Sequence, residues 1–313
     1  MTKKTAKAFA PGAISSFFEI FNTHPNGTPI TDLQYMGAKG GGFGLQRGTH
    51  TQVTLKDASE TSIEISINNK PAPDAKVTQT ITQTILSQVN KKYTITIEHQ
   101  IDVPIGMGFG TSAGGALTTA LALKEALNLP LTYNQIGKLA HLVEIQLQTG
   151  LGTVSSLTFN GGLILVTEPG APGICKIDCI PINPNYVVVV GYYRTLIPKK
   201  PVLTSPQKMQ QINIYGQKAL EAILAEPRLE NFLDQCWMFA QNAGFATEGV
   251  RRLVAIAKKA GAIGAAQNMI GEVVHAVVHE ENAASVAEAF KQTLPSNQVI
   301  VSRIDFEGVR LIR

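Results

Sequence analysis

The sequence predicts an α+β protein of two lobes. Three observations predict it. Apolar β-forming runs recur near both ends and in the middle of the chain; helical patterns occupy 111–148 and 206–260; and the 28 glycines cluster rather than scatter. The resulting order is β-rich, helical, β, helical, then mixed, which is that of an α+β protein. At 313 residues the chain is about two domain-lengths. A boundary is expected near 191–206, giving lobes of 1–195 and 196–313.

Each element follows from its pattern. The first part reads as β with glycine-rich connections. Strands are expected at 52–56 and 62–67, joined by the polar turn Asp57-Ala58-Ser59-Glu60. Val77, Ile81, Ile85 and Val89 recur every four residues and predict a helix over 75–89. The segment 93–98 alternates apolar and polar as a half-buried strand. Ala, Leu and Lys dominate 111–127, a helix with Pro130 just past its end. Thr132 caps a second helix that runs to about 148 and stops at Gly150. Strands follow at 163–167, 174–180 and 186–191; the last holds Val187-Val188-Val189-Val190, a run that suits burial on both faces. Helices fill most of 206–260. Strands at 272–280, 299–303 and 308–312, with a helix over 283–292, complete the chain.

Composition narrows the function. Apolar residues make up 44% and charged residues 16%, enough for a sizeable core and too few charges for a disordered polyelectrolyte. A net charge of +4 permits a small anionic ligand but argues against nucleic acid as a partner. Three cysteines, Cys175, Cys179 and Cys236, are too few and too odd for a disulfide framework. The CxxxC spacing of the first two lacks a second Cys or His pair, so they read as small hydrophobes rather than metal ligands. No apolar run of signal-peptide type follows Met1-Thr2-Lys3-Lys4, and none is long enough to cross a membrane. A soluble, cytoplasmic protein without a membrane partner is expected.

The most informative stretch runs from Val103 to Gly115. Gly106, Gly108 and Gly110 allow close backbone approach to a ligand and positive φ. Thr111 and Ser112 then sit at a helix N-terminus, where free N–H groups and the positive dipole end favour phosphate. Their hydroxyls can reach a magnesium ion or a phosphate oxygen. No GK[ST] follows, and the GxGxxG order is absent, so this is neither a Walker loop nor a dinucleotide fingerprint. Taken alone, such a stretch can also be a plain tight turn.

Three segments together resemble the GHMP kinases, the superfamily of galactokinase and the homoserine, mevalonate and phosphomevalonate kinases. Pro104, Gly108, Gly110, Thr111, Ser112 and Ala113 match that superfamily's PxxxGLGSSAA motif. The other two segments are Phe9 to Glu19 and the group of Glu144, Gly150 to Val154 and Gly161-Gly162. Within the superfamily the likeness is greatest to the archaeal pantoate kinases. It rests on Pro11-Gly12, Phe17-Phe18-Glu19-Ile20, the run Gly37-Ala38-Lys39-Gly40-Gly41-Gly42, Gly108-Phe109-Gly110 and Thr149-Gly150-Leu151-Gly152. It extends to Gly264 through Glu272 and spans roughly residues 5 to 280.

The resemblance implies a GHMP kinase fold: an N-terminal ribosomal-protein-S5-like lobe and a ferredoxin-like C-terminal lobe. It implies ATP and Mg2+ as cofactors, pantoate as the small-molecule acceptor, 4-phosphopantoate for coenzyme A synthesis as the product, and a homodimer. Pro104, Gly106, Met107, Gly108, Phe109, Gly110, Thr111, Ser112 and Ala113 would cradle the nucleotide. Ser112 and Glu144 match the magnesium ligands, and Thr153 holds the catalytic turn. Ser15, Glu19, Lys39 and Arg194 are the candidates for holding substrate, with Arg47 behind them; Lys39 would act as a point charge on a carboxylate or phosphate oxygen. By sequence alone, Glu144 also reads as a helical carboxylate paired with a neighbour such as Lys138, and Lys39 as a solvated lysine. His24 and His141 read as structural or exposed. Trp237, Phe239 and Phe245 read as core.

Two positions depart from the family pattern. Thr153 stands where the family usually has an Asp, which is read there as the catalytic base, and Ala13 stands where a Lys or His is usual. Three explanations are open. The reaction proceeds without a carboxylate base; another group such as Asp102 or Glu19 has taken its place; or the chain binds ligand with little turnover. A homoserine or mevalonate type of kinase is the alternative within the superfamily.

Overall fold

The computed structural model describes residues 3–24, 26–159, 161–195 and 205–313. The long strands β1 (Lys3–Phe21) and β2 (Gly37–Asp57) pair antiparallel along their whole length, from Lys3↔Lys56 to Phe21↔Gly37. The register slips at Pro11/Gly12 and again at Ser15/Phe17, with Gly12 to Ser15 still paired to Leu45 to Gly42 between the two irregularities. β2 is the hub of the molecule. It pairs with β5 (Tyr93–Ile101), β6 (Leu163–Glu168) and β11 (Val299–Asp305) along different stretches. β3 (Ser62–Ile67) runs parallel to β5 and carries the short β4 (Lys70–Pro71) at its edge.

The glycines of 37–44 therefore lie in a strand, not in the connection their composition suggests. The physical reason is crowding. A Cβ on Gly42 would stand 1.7 Å from the Ile14 carbonyl oxygen, and one on Gly48 would stand 2.1 Å from that of Ala10. Only residues without a side chain let the two bent strands approach this closely.

Helix α2 (Thr111–Leu127) covers this sheet, and α1 (Lys76–Leu86) and α3 (Tyr133–Gln146) pack on α2. α2 is apolar all round and buried almost throughout, as a helix enclosed between a sheet and two helices must be. α3 opens on the capping box of Thr132 and Gln135, and the short α4 (Thr153–Thr158), absent from the sequence reading, follows it.

β8 (Val187–Tyr192), β9 (Gly264–Gln267), β10 (Val273–Val278) and β11 form an antiparallel sheet in the order β11-β8-β10-β9. Val188 and Val190 face one core with Phe232 and Ile212, while Val187 and Val189 face another with Leu253 and Phe290. The valine run is thus buried on both sides. The helices on these faces are α5 (Pro206–Ala225), α6 (Leu229–Asn242), α7 (Glu248–Lys259) and α8 (Ala283–Lys291). β8 precedes the expected division at 195/196 yet hydrogen-bonds to β10 and β11, and β12 (Arg310–Ile312) returns to pair with β1. β11 also joins β2 through Ile304↔Leu45, so one continuous sheet path crosses the molecule. The remaining expected strand, 174–180, is shorter as β7 (Lys176–Ile180) and pairs with β6.

Candidate active site

Beside the stretch of β1 between its two register slips, a cavity of about 460 Å3 opens. Its walls are Ala13, Ile14 and Ser15 of β1, Ala38 to Gly44 of β2, the loop 105–110 with the start of α2, and the turn 148–153 into α4. Phe17, Phe18, Ile164 and Val166 give it an apolar side. Two ionisable side chains line it among the described residues, Lys39 and Glu144.

The glycine-rich loop has the conformation its composition allows. Gly106, Gly108 and Gly110 take φ of 80°, 90° and 63°. Gly110 is the N-cap of α2 and brings no capping side chain, so the positive end of that helix opens on the cavity with backbone amides as its donors. The loop is tied down from outside: Asn268 Nδ2 donates to the Gly108 carbonyl at 3.2 Å, and the Ala13 N–H donates to that of Phe109 at 2.9 Å. A side chain at Gly110 would strike Ala13 and Thr153 at 2.8 Å, so glycine is required there, and the amides of such a turn suit an anionic oxygen group.

Ser112 and Glu144 meet across the cavity mouth. The Ser112 hydroxyl donates to Glu144 Oε1, as does the hydroxyl of Thr149. Glu144 is 3% exposed, and a Cβ on Gly150 would lie 2.4 Å from its Oε2. The carboxylate is therefore held in place by two hydroxyls and by a glycine that leaves it room. One hydroxyl and one carboxylate oxygen at a single point, facing a phosphate cradle, form a donor set that suits magnesium, which keeps waters and phosphate oxygens for its other positions. Sequence reasoning did not identify Thr149 as the partner of Glu144, although the five-residue spacing across a helix end brings such pairs together.

Lys39 stands opposite Glu19 in the β1–β2 register. Its Nζ lies 4.0 Å from Glu19 Oε2 and 4.7 Å from the centre of the Phe21 ring. Burial raises the pKa of Glu19; Lys39 opposes that shift and Glu221 adds to it. Glu19 lies behind Lys39, outside the cavity lining.

The other sequence candidates fall elsewhere. Met107 is buried in the core, and Pro104 precedes the loop, both outside the lining. Arg194 is exposed beyond the end of β8, and Arg47 is exposed on β2. Asp102 pairs with His50 at 3.2 Å, also outside the lining. His141 is buried with Nε2 at 3.0 Å from the Met36 carbonyl, and burial lowers its pKa. Cys236 is buried, Cys179 exposed and Cys175 intermediate; no cluster of three metal-ligating side chains is found among the described residues. Thr153 and Ala13, the two departures from the family pattern, are neighbours: both abut Gly110, one from α4 and one from β1.

Comparison with known proteins decides the family. The profile described as "GHMP kinases N terminal domain" matches residues 76–161. A pantoate kinase of Thermococcus kodakarensis is 30% identical over 298 residues, covering 92% of this chain and 91% of the relative. The chain belongs to the pantoate kinase family of the GHMP kinases. A pantoate kinase of Methanocaldococcus jannaschii is 29% identical over 289 residues, covering 92% of this chain and 98% of the relative. A solved structure described as "Phosphotransferase related to CoA biosynthesis pathway" superposes with a TM-score of 0.85 at 27% identity, covering 99% of each chain. The GHMP kinase fold expected from the sequence is thus the fold of this kinase. No described helix is long and apolar enough to cross a membrane.

Proposed function

We propose that this kinase transfers the terminal phosphoryl group of ATP to the primary hydroxyl of pantoate, giving 4-phosphopantoate for coenzyme A synthesis. The observation that carries the proposal is the cradle of residues 106–112 at the start of α2, sharing one cavity with the Ser112–Glu144 pair and Lys39.

Each group then has a role. The amides of the loop and of the first turn of α2 hold the phosphates. Ser112 and Glu144 would hold magnesium, which would supply charge neutralisation on the phosphate oxygens. Lys39 meets the carboxylate of pantoate, and Glu19 holds the ammonium in place from behind. Ser15 offers its hydroxyl to the same end of the substrate. Ile14, Phe17, Ile164 and Val166 give the two methyl groups of pantoate an apolar wall. The substrate oxygen forms a bond to phosphorus, the bond from that phosphorus to the leaving ADP oxygen breaks, and the hydroxyl proton passes to the transferred phosphoryl group. No protein base is needed in this account. Thr153 does not accept a proton at neutral pH, and Asp102 and Glu19 stand outside the lining. A loose transition state asks for positioning and charge more than for a base. The same reading places a homodimer in the cytoplasm; sedimentation at twice the chain mass tests the dimer.

ADP release is measured with ATP, magnesium and each of pantoate, homoserine and mevalonate. Release with pantoate above the other two is expected. Release with homoserine or mevalonate and none with pantoate overturns the substrate.

A further inference from the structure

Asn268 does not line the cavity, and its side chain is fully buried, yet it is bonded to two walls of it. Nδ2 donates to the Gly108 carbonyl at 3.2 Å, and Oδ1 accepts from the Ser15 N–H at 2.9 Å. We propose that Asn268 is a positioning residue that aims the amides of the glycine-rich loop at the phosphates and fixes the substrate side of the site to them. This rests on the cavity being the phosphotransfer site.

The argument begins with peptide geometry. In a trans peptide the carbonyl and the following N–H point in opposite directions. Holding the Gly108 carbonyl on Asn268 therefore turns the Phe109 N–H the other way. Holding the Phe109 carbonyl on the Ala13 N–H does the same for the Gly110 N–H. Two successive amides are thereby set by carbonyl contacts behind the loop. Gly108 at φ 90° has no side chain to resist other conformations, so an external tie is what selects this one.

Asn268 is itself held firmly. Its N–H donates to the Val273 carbonyl at 2.8 Å, and Met269 beside it sits at φ 51° with its N–H donating to the Ser15 carbonyl at 2.7 Å. Gln267 Nε2 closes the same turn on the Gly271 carbonyl at 2.9 Å. The Ser15 backbone is thus gripped at both its N–H and its carbonyl by residues 268 and 269, at the second register slip of β1. One turn between β9 and β10 references the loop and the bent strand to each other. In the sequence the segment 264–272 stands out only as part of the family likeness, because an Asn before a turn has no helical or strand period to mark it.

The two bonds can be separated. Asn268→Asp keeps an acceptor for the Ser15 N–H and removes the donor to the Gly108 carbonyl. Asn268→Ala removes both. ATP binding by calorimetry, the KM values for ATP and pantoate, and amide exchange across 106–112 are measured on folded protein, judged by thermal midpoint. For Asn268→Asp, ATP affinity is expected to fall roughly 5- to 150-fold, the range of one buried unsatisfied carbonyl, with faster exchange in the loop. Its pantoate KM should stay within about twofold, since the Ser15 contact survives, whereas Asn268→Ala raises both KM values. Unchanged ATP affinity and exchange in either folded variant overturns the proposal. If the Asp variant does not fold, Asn268→Ala carries the test through ATP affinity and loop exchange, both of which should change. Because ATP binding and exchange need no acceptor, a wrong acceptor fails in turnover alone and leaves this test intact.

Discussion

In the proposed mechanism Glu144 is one of the two magnesium ligands, and its surroundings set what substitution does. It accepts from Ser112 and Thr149 and has room only because residue 150 is glycine. Glu144→Gln keeps the shape and removes the charge, so activity at limiting magnesium should fall on the order of 100-fold, with Ser112→Ala falling less, as expected for loss of a metal-site group. Titrating magnesium against rate checks this: unchanged rates in both variants reject the pair as the metal site. Thr153 bears on the proton instead. Its methyl lies against the same point of Gly110 as Ala13, so an Asp side chain introduced there starts beside the phosphate cradle. Thr153→Asp is expected to raise kcat and to give it an acid limb that the natural chain lacks, since a general base contributes ~10²–10⁴-fold where proton removal limits the rate. A pH–rate profile that does not change on this substitution would show that proton removal is not limiting in this cavity.

Single elements carry the site through close contact rather than through propensity. α5 lies across β1 at Gly216, where a Cβ would come 2.3 Å from the Phe18 carbonyl oxygen. Gly216→Ala should therefore lift the helix off the strand and destabilise the protein by about 1–3 kcal/mol, the usual cost of overpacking. Urea unfolding of the variant measures it, and a loss under about 0.5 kcal/mol would mean that the helix shifts freely. This class of contact is what the sequence could not reveal. The helix α2 was legible from its run of Ala and Leu with Pro130 beyond it, and α3 from its cap Thr132, although α3 ends at Gln146, ahead of the expected stop at Gly150. The conformation of the glycine-rich loop was legible because its glycines have a local conformational reason. The glycines of β2 were misread as connection because their reason is the carbonyls of β1, distant in sequence. β9, only Gly264–Gln267, is too short to show a period of two, and Asn268 and Thr149 gain their roles only from partners that folding supplies.

Across the molecule, two buried imidazoles lock together elements that the site depends on, and they make the fold sensitive to acid. His99 on β5 is hydrogen-bonded to Thr51 of β2 at 2.7 Å and to Thr78 of α1 at 3.0 Å. His275 on β10 is fully buried with Nε2 3.0 Å from Ser16 Oγ of β1. Desolvation lowers their pKa values to about 4 and about 3 from 6.5. Below pH 6.5 the unfolded chain therefore binds protons that the folded chain refuses, and stability falls with pH until each folded value is reached. Each imidazole contributes a slope of up to about 1.4 kcal/mol per pH unit in that window. His141, lowered by burial as well, acts with the same sign. Glu19 acts with the opposite sign, because its raised pKa makes the folded state the better proton acceptor above 4.5. Three imidazoles against one carboxyl leave the net effect destabilising, so denaturant midpoints should decline steadily from pH 7 to pH 5. His275→Gln and His99→Gln, compared with the natural chain at each pH, should each flatten part of that decline whatever they cost at neutral pH. A midpoint that does not move between pH 7 and pH 5 would mean that these imidazoles take up protons without unfolding the sheet that joins the two halves of the site.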